Sequence, residues 1–553
     1  MTGKKCYELT ELRTDGKSDI PIILPNGQKN FLSPFLKQDI RLIYDEEGIE
    51  TVEKYGEPYY VIRFFPNMCG VYRVCLNDRV ELINVTGGGN KGYIEVSKYD
   101  KRYLAYTDSS PYFPIGINLA FISPISKSDG TEFGLSRQYR YLGLRLYERW
   151  FKACAENGVN MARIWLGQEY LCPDTLNAGE FDLIQFAKID ILISLAEKYG
   201  IKLKLTIEQF RYFNYEKTAD SYSYADDVFR KFNKRLYLGG KRCESIKEWL
   251  SGDNWKKKWL IKVNELAKRL SGNTAIFGIE LWNEMNSLDS ESVTEWNREM
   301  LPQVKALFPH QLVMNSLGSF DGDNAKRFYA EFCWEYSDIK QMHRYLDQGA
   351  DYGVCHKSPI MLIKDGIDAL YDSDKPLLVA ETGAVNDCHS GPFRYYCCDH
   401  NGLLFCDLVY TPVFCLSCGV GNIWHWDDRY VESKNLYKYF KPIAELCSGI
   451  AFDREDFKKD LYEDEEIIFM LLTGKNVTLA FLRNKSDCWQ NVLRDLKEPV
   501  TVKNKVVPCP THTRLQTFNF AADETAACEI IGSELVIRNL KHGILLKFER
   551  KNF

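Results

Sequence analysis

The chain has 553 residues, too many for one ordinary hydrophobic core, so several domains are expected. It is 45% hydrophobic and 27% charged, with a formal net charge of -5. That is the balance of a globular protein, and it gives no electrostatic reason to expect nucleic acid or an anionic membrane as partner.

The N-terminal stretch "MTGKKCYELTEL" has two lysines with no apolar run behind them, unlike a secretory signal, so a cytoplasmic address is expected. Residues 1–110 read as β-rich. "PYYVIRFFPNMCGVYRVCL" alternates in short runs broken at Pro66 and Gly70, and "NVTGGGNKGYIEV" supplies a glycine turn and a further strand. A small β-sandwich is the expected form.

From about 111 to 453 the rhythm changes to strand and helix in alternation. The strands are "YFPIGINLAF", "MARIWLG", "IKLKLTIEQF", "AIFGIELWNE", "LVMNSLG", "DIKQMHRY", "PLLVAETG" and "GVGNIWHWDD". Helical periods lie between them, two of them closed by glycine at "AEKYG" and "KRLSG". Alternation implies a parallel sheet, and eight strands predict a closed (β/α)8 TIM barrel in the α/β class. No GxGxxG or phosphate loop follows any strand. From 454 to 553 short strands return ("IIFMLLTG", "NVTLAFLRN", "ELVIRNL", "GILLKFER"), predicting a small C-terminal β-domain.

The uncharged stretch from Leu408 to Trp426 contains Pro412, Gly419, Gly421 and Asn422, which suits a buried helix and strand rather than a membrane span. The eighteen cysteines are scattered, and the lone "CLSC" has no second pair at zinc-ligand spacing, so reduced core thiols are expected. No His/Asp cluster has metal-ligand spacing, and neither a metal nor an organic cofactor is expected. A homo-oligomer is compatible with everything read here.

In this barrel class the active site lies at the C-terminal ends of the strands. The polar residues there, in strand order, are Asn118; Arg163; Glu208; Asn283 and Glu284; His343 and Tyr345; Glu381; and the aromatic pair Trp424 and Trp426. Glu284 closes the fourth strand and Glu381 the seventh, which face each other across an eight-stranded mouth. Two carboxylates so placed can flank a glycosidic bond, with one ionised as nucleophile and the other protonated as acid. Other readings stand beside these. Arg163 suits a salt bridge between strands, His343 a core position, Asn118 a turn cap, Trp282 wall packing, and Glu208 a sugar contact. Trp424 and Trp426 share a face if the strand alternates there.

"WNE" after strand four, "HRY" after strand six, "AETG" at strand seven and tryptophan at strand eight resemble the clan of retaining glycoside hydrolases that includes family 5, the cellulases and mannanases. "RFFPNMCGVYRV" and "GYIEVSKYDKRYLAYTDSSPYFPIGIN" extend the resemblance to multidomain bacterial glycosidases with a preceding β-sandwich. The resemblance implies Glu284 as acid/base and Glu381 as nucleophile. It places Asn283 at the sugar 2-hydroxyl, Tyr345 and Arg163 on the nucleophile, His343 on the leaving-group side, and Trp424 or Trp426 beneath the sugar. The sequence departs from the family at strand three, where a histidine is common and "TIEQF" puts Glu208 and Gln209. The aromatic-rich insertion 209–253 predicts a wall that favours chain ends or small glycosides. The expected activity is therefore a retaining β-glycosidase acting on a carbohydrate substrate. An endo-acting glucanase or mannanase, a transglycosylase and a non-catalytic carbohydrate-binding protein are the alternatives.

Overall fold

The computed structural model describes residues 2–123, 141–210, 234–288, 290–332, 334–387, 391–510, 514–520 and 525–549. Seven parallel strands organise its centre: β1 (Gly116–Asn118), β2 (Met161–Trp165), β3 (Lys202–Gln209), β4 (Ile276–Asn283), β5 (Leu312–Met314), β6 (Lys340–Leu346) and β7 (Leu377–Ala384). Strands β1 to β5 pair in sequence order, and β6 pairs with β7. Parallel bridges join Ser319 to His343, Thr382 to Ile423, and Ile423 back to Ile117. The pairing thus returns to its starting strand.

Helices fill the connections: α1 (Leu144–Glu156), α2 (Leu183–Tyr199), α3 (Asp253–Leu270), α4 (Ser290–Leu307), α5 (Asp323–Glu331), α6 (Pro359–Leu370) and α7 (Leu403–Phe414). The strands are covered on both faces, which is why β2 reads as an unbroken buried run, "MARIW". Local chemistry sets the helix ends. The Asp182 carboxylate accepts from the Ile184 N–H to open α2, and Gly200 closes it at φ 69°. Among the described residues no helix is long and apolar enough to cross a membrane.

Two sheets from residues 2–86 share a core built on Ile20, Ile22, Ile62, Phe64, Tyr72 and Val85. A three-stranded antiparallel sheet over residues 94–112 does something different. Its Ile94, Leu104 and Tyr112 cluster with Met161, Phe277, Leu312 and Leu378, at the N-terminal ends of the central strands. That end of the circuit is closed by apolar packing, so an open site has to lie at the other.

After Lys458 a five-stranded and a three-stranded sheet share a core of Phe469, Leu482, Leu535, Ile544 and Phe548. The opposite face of the larger sheet sends Met470, Leu472, Phe481 and Leu545 into the central core.

The eighth predicted strand is a correction. Only Ile423 makes bridges, and His425 adopts φ 58°, so regular alternation stops just where it was invoked to aim two tryptophans. The central part of the insertion, residues 211–233, lies outside the described residues, and the predicted wall with it.

Candidate active site

Strand β4 delivers its polar tip through an unusual backbone. Glu284 adopts φ 52° and ψ 50°, a left-handed conformation rare outside glycine, and the chain then turns into Met285–Ser287. The end of β5 supports the turn. Asn315 Oδ1 accepts from the Trp282 N–H at 2.7 Å, and Ser316 Oγ accepts from the Glu284 N–H at 3.2 Å. Strand β6 shifts register between Met342 and His343, next to its pairing with Glu381.

These strand ends converge. His343 Nδ1 lies 2.9 Å from a Glu284 carboxylate oxygen and 3.5 Å from one of Glu381. Ligand-capable atoms of Glu284, His343 and Glu381 all lie within 4.8 Å of one another. The Tyr345 hydroxyl donates to Glu381 at 2.6 Å, and Arg163 pairs with the other Glu381 oxygen. Burial, with the Glu381 charge beside it, pushes the Tyr345 hydroxyl well above the usual phenol range, so it remains a donor. Burial also lowers His343 to about 4, against the opposing pull of Glu381, so the ring is neutral near pH 7.

Arg163 is fully buried and uses all five of its N–H donors. Nε and one terminal nitrogen grip Glu280; that same nitrogen donates to Asn283 Oδ1 at 2.7 Å. The other terminal nitrogen serves Glu381 and Asn118 Oδ1, the latter at 3.2 Å. The Asn118 amide nitrogen faces the backbone carbonyls of Ala380 and Asn422, so this residue ties strands together and orients Arg163. Because the Asn283 carbonyl is engaged, its amide nitrogen is the end it can offer a ligand.

The three-residue set also has the spacing to hold a divalent cation. Tyr345 and Arg163 already occupy both Glu381 oxygens, and the Arg163 charge opposes a second cation there.

Two expected contacts are corrected. Glu208 is wholly buried, and its carboxylate is engaged by Lys262 and Trp259 of α3 and by Arg235 at 2.9 Å. It is part of an internal ion cluster between strand and helix, and no sugar contact is available to it. Trp426 is 0% exposed, packed against Phe121, Trp150 and Trp424, which makes it core. Trp424, tilted against Trp165 at 5.3 Å, keeps 9% exposure.

The sequence reading missed Glu280 and Lys204. Glu280 lies four residues before Glu284 and accepts from Lys204 Nζ at 2.9 Å as well as from Arg163. Burial opposes its ionisation, but the Arg163 and Lys204 charges win and hold Glu280 well below the usual carboxylate range. The signal was present: a charged residue inside an apolar parallel strand has to find a partner.

No protein-family model and no curated protein matches the chain. Among solved structures, it is similar to a Bacteroides vulgatus protein provisionally described as a glycoside hydrolase, at 11% identity and a TM-score of 0.51, covering 99% of this chain and 100% of that one. It is also similar to a glycoside hydrolase family 5 protein of the same species, at 11% identity and a TM-score of 0.49, over 83% of this chain and 94% of that one. A glycoside hydrolase family 5 mannosidase from Rhizomucor miehei aligns at 14% identity and a TM-score of 0.41, over 61% of this chain and 86% of that one. The first of these carries the structural conclusion: the chain shares the fold of the Bacteroides vulgatus protein along nearly its whole length.

Proposed function

We propose that this protein is a retaining β-glycosidase, built as a (β/α)8 barrel (111–453) between an N-terminal β-sandwich (1–110) and a C-terminal β-domain (454–553). One observation carries the reading: Glu284, just past β4, and Glu381, in β7, have carboxylate oxygens within 4.8 Å of each other and of the His343 ring. Retention requires carboxyl groups about 5–5.5 Å apart, whereas inversion needs roughly 6.5–9.5 Å to admit a water.

In this reading Glu381 attacks the anomeric carbon while Glu284 donates a proton to the departing oxygen, giving a glycosyl ester and a free alcohol. Glu284 then takes a proton from water, whose oxygen displaces Glu381 and releases the sugar. Arg163 and Tyr345 hold the nucleophile's two oxygens, and the Asn283 amide donates to the 2-hydroxyl. His343 orients Glu284, and Trp424 offers an apolar face to the ring. Exo action on small β-glycosides is the preferred form, resting on the aromatic insertion 209–253. Endo action on a glucan or mannan is the alternative within the class.

A panel of aryl β-glycosides and 2-fluoro glycosyl fluorides tests this. A covalent glycosyl mass on Glu381 is expected, and Glu381→Gln loses at least ~10³-fold in rate. Absence of any adduct across the panel would instead indicate a carbohydrate-binding protein.

A further inference from the structure

Beneath the paired glutamates lies a second layer of charge that no step of the double displacement uses. Lys204 of β3 is fully buried, and its ammonium donates to Glu280 Oε2 at 2.9 Å and to Gln341 Oε1. The Gln341 amide nitrogen is in turn fixed to the Asn315 carbonyl at 3.0 Å, and Ser316 Oγ donates to Glu280 at 3.1 Å. Glu280 is therefore bound at once from β2, from β3 and from the segment just after β5. Four charges share this interior: Arg163 and Lys204 against Glu280 and Glu381.

The count has a consequence. Arg163 alone would divide one positive charge between two buried carboxylates, leaving a net negative charge in a region of low dielectric, where it is costly. We propose that Lys204 is a positioning residue: by neutralising Glu280, it leaves the charge of Arg163 for Glu381. Glu280 is the intermediate, clamping the guanidinium through two nitrogens so that its third points at the nucleophile. The groups facing Lys204 are Arg163 on β2, Glu280 on β4, Gln341 and His343 on β6, Glu381 on β7, and the Cys418 thiol. Burial lowers the Lys204 ammonium to about 8 against the pull of Glu280, so this support weakens in mildly alkaline solution.

The inference rests on Glu381 being the nucleophile, but its first test needs no turnover. The carbon-13 signal of the Glu381 carboxyl, assigned by its loss in Glu381→Gln, reports where that group takes up a proton. Lys204→Met leaves the cluster one charge more negative and is expected to raise the titration midpoint by about one pH unit. Glu280→Gln makes it one charge more positive and lowers the midpoint. The double variant restores neutrality and returns it close to wild type, a reversal that mere packing damage does not produce. The acid limb of kcat/KM on an aryl glycoside moves in the same directions.

If both single variants stay within about 0.2 unit of wild type, or the double variant follows Lys204→Met, the assignment is overturned. Should Lys204→Met fail to fold, Glu280→Gln and the double variant decide by the same signs. Failure of the glycosidase reading looks different: the midpoints move as stated, but no glycosyl adduct forms.

Discussion

His343 shows how a single side chain is committed by its surroundings. One ring nitrogen sits between two carboxylates, and the other, Nε2, is buried without a hydrogen-bond partner among the described residues. Protonation would place a charge in this interior, so burial lowers the ring from 6.5 to about 4. The unfolded chain then binds more protons than the folded one between these values. Stability contributed by the neutral ring is complete above pH 6.5 and is lost as the pH falls toward 4. Urea unfolding between pH 7 and 4 should show His343→Gln with a shallower acid loss than wild type, the difference reaching about 3 kcal/mol. Equal slopes would mean that the ring is not held neutral. Arg163 teaches the complementary lesson. Its five donors and five acceptors explain why an arginine stands here: the fork of a guanidinium reaches four side chains that an ammonium does not.

At the scale of the element, helix ends were read well because their signals are local. Gly200 after α2 has φ 69°, and open space surrounds the position where a Cβ would stand, so its reason is conformational. Gly200→Ala is expected to cost about 1 kcal/mol in thermal or urea unfolding, with activity unchanged. A neutral result would show that the helix end relaxes. The eighth strand was read badly for a related reason. Its apolar pattern, "GNIWHW", fits a buried strand, yet the pairing there narrows to bridges at Ile423, flanked by backbone hydrogen bonds of Asn422 and Trp424, before His425 turns to φ 58°. Periodicity registers burial; it does not register that closure of the circuit asks for only one bridge on each side at this point.

For the whole molecule, the C-terminal sheets are joined to the centre by more than apolar packing. Arg483 is buried and donates to Asp407 of α7 at 2.6 Å and to Asp487 at 2.8 Å. Asp407→Ala leaves that guanidinium undercompensated at the boundary, and a loss of about 3 kcal/mol is expected, read as a lower urea midpoint. On the other side Arg63 bridges Glu11 and Asp190 of α2 and donates to the Arg269 carbonyl at 3.2 Å. Both terminal β-regions are thus pinned to the helical layer by ion-paired arginines, which fits units that move with the centre rather than on linkers.

By itself the sequence determined the alternation of strands and helices, the glycine stop of α2, and which polar residues stand at strand ends, because each depends on residues within a turn or two of one another. It also brought Glu284, His343, Tyr345, Glu381 and Arg163 forward as a group. Only the tertiary structure decided what each polar group meets. Glu208 was drawn to Lys262 and Arg235 on the helix side, Trp426 was sealed in the core, and Glu280 with Lys204 formed a charged layer under the site. The physical reason is that a buried charge is settled by the partners within a few ångströms of it, and here those partners come from strands and helices far apart along the chain.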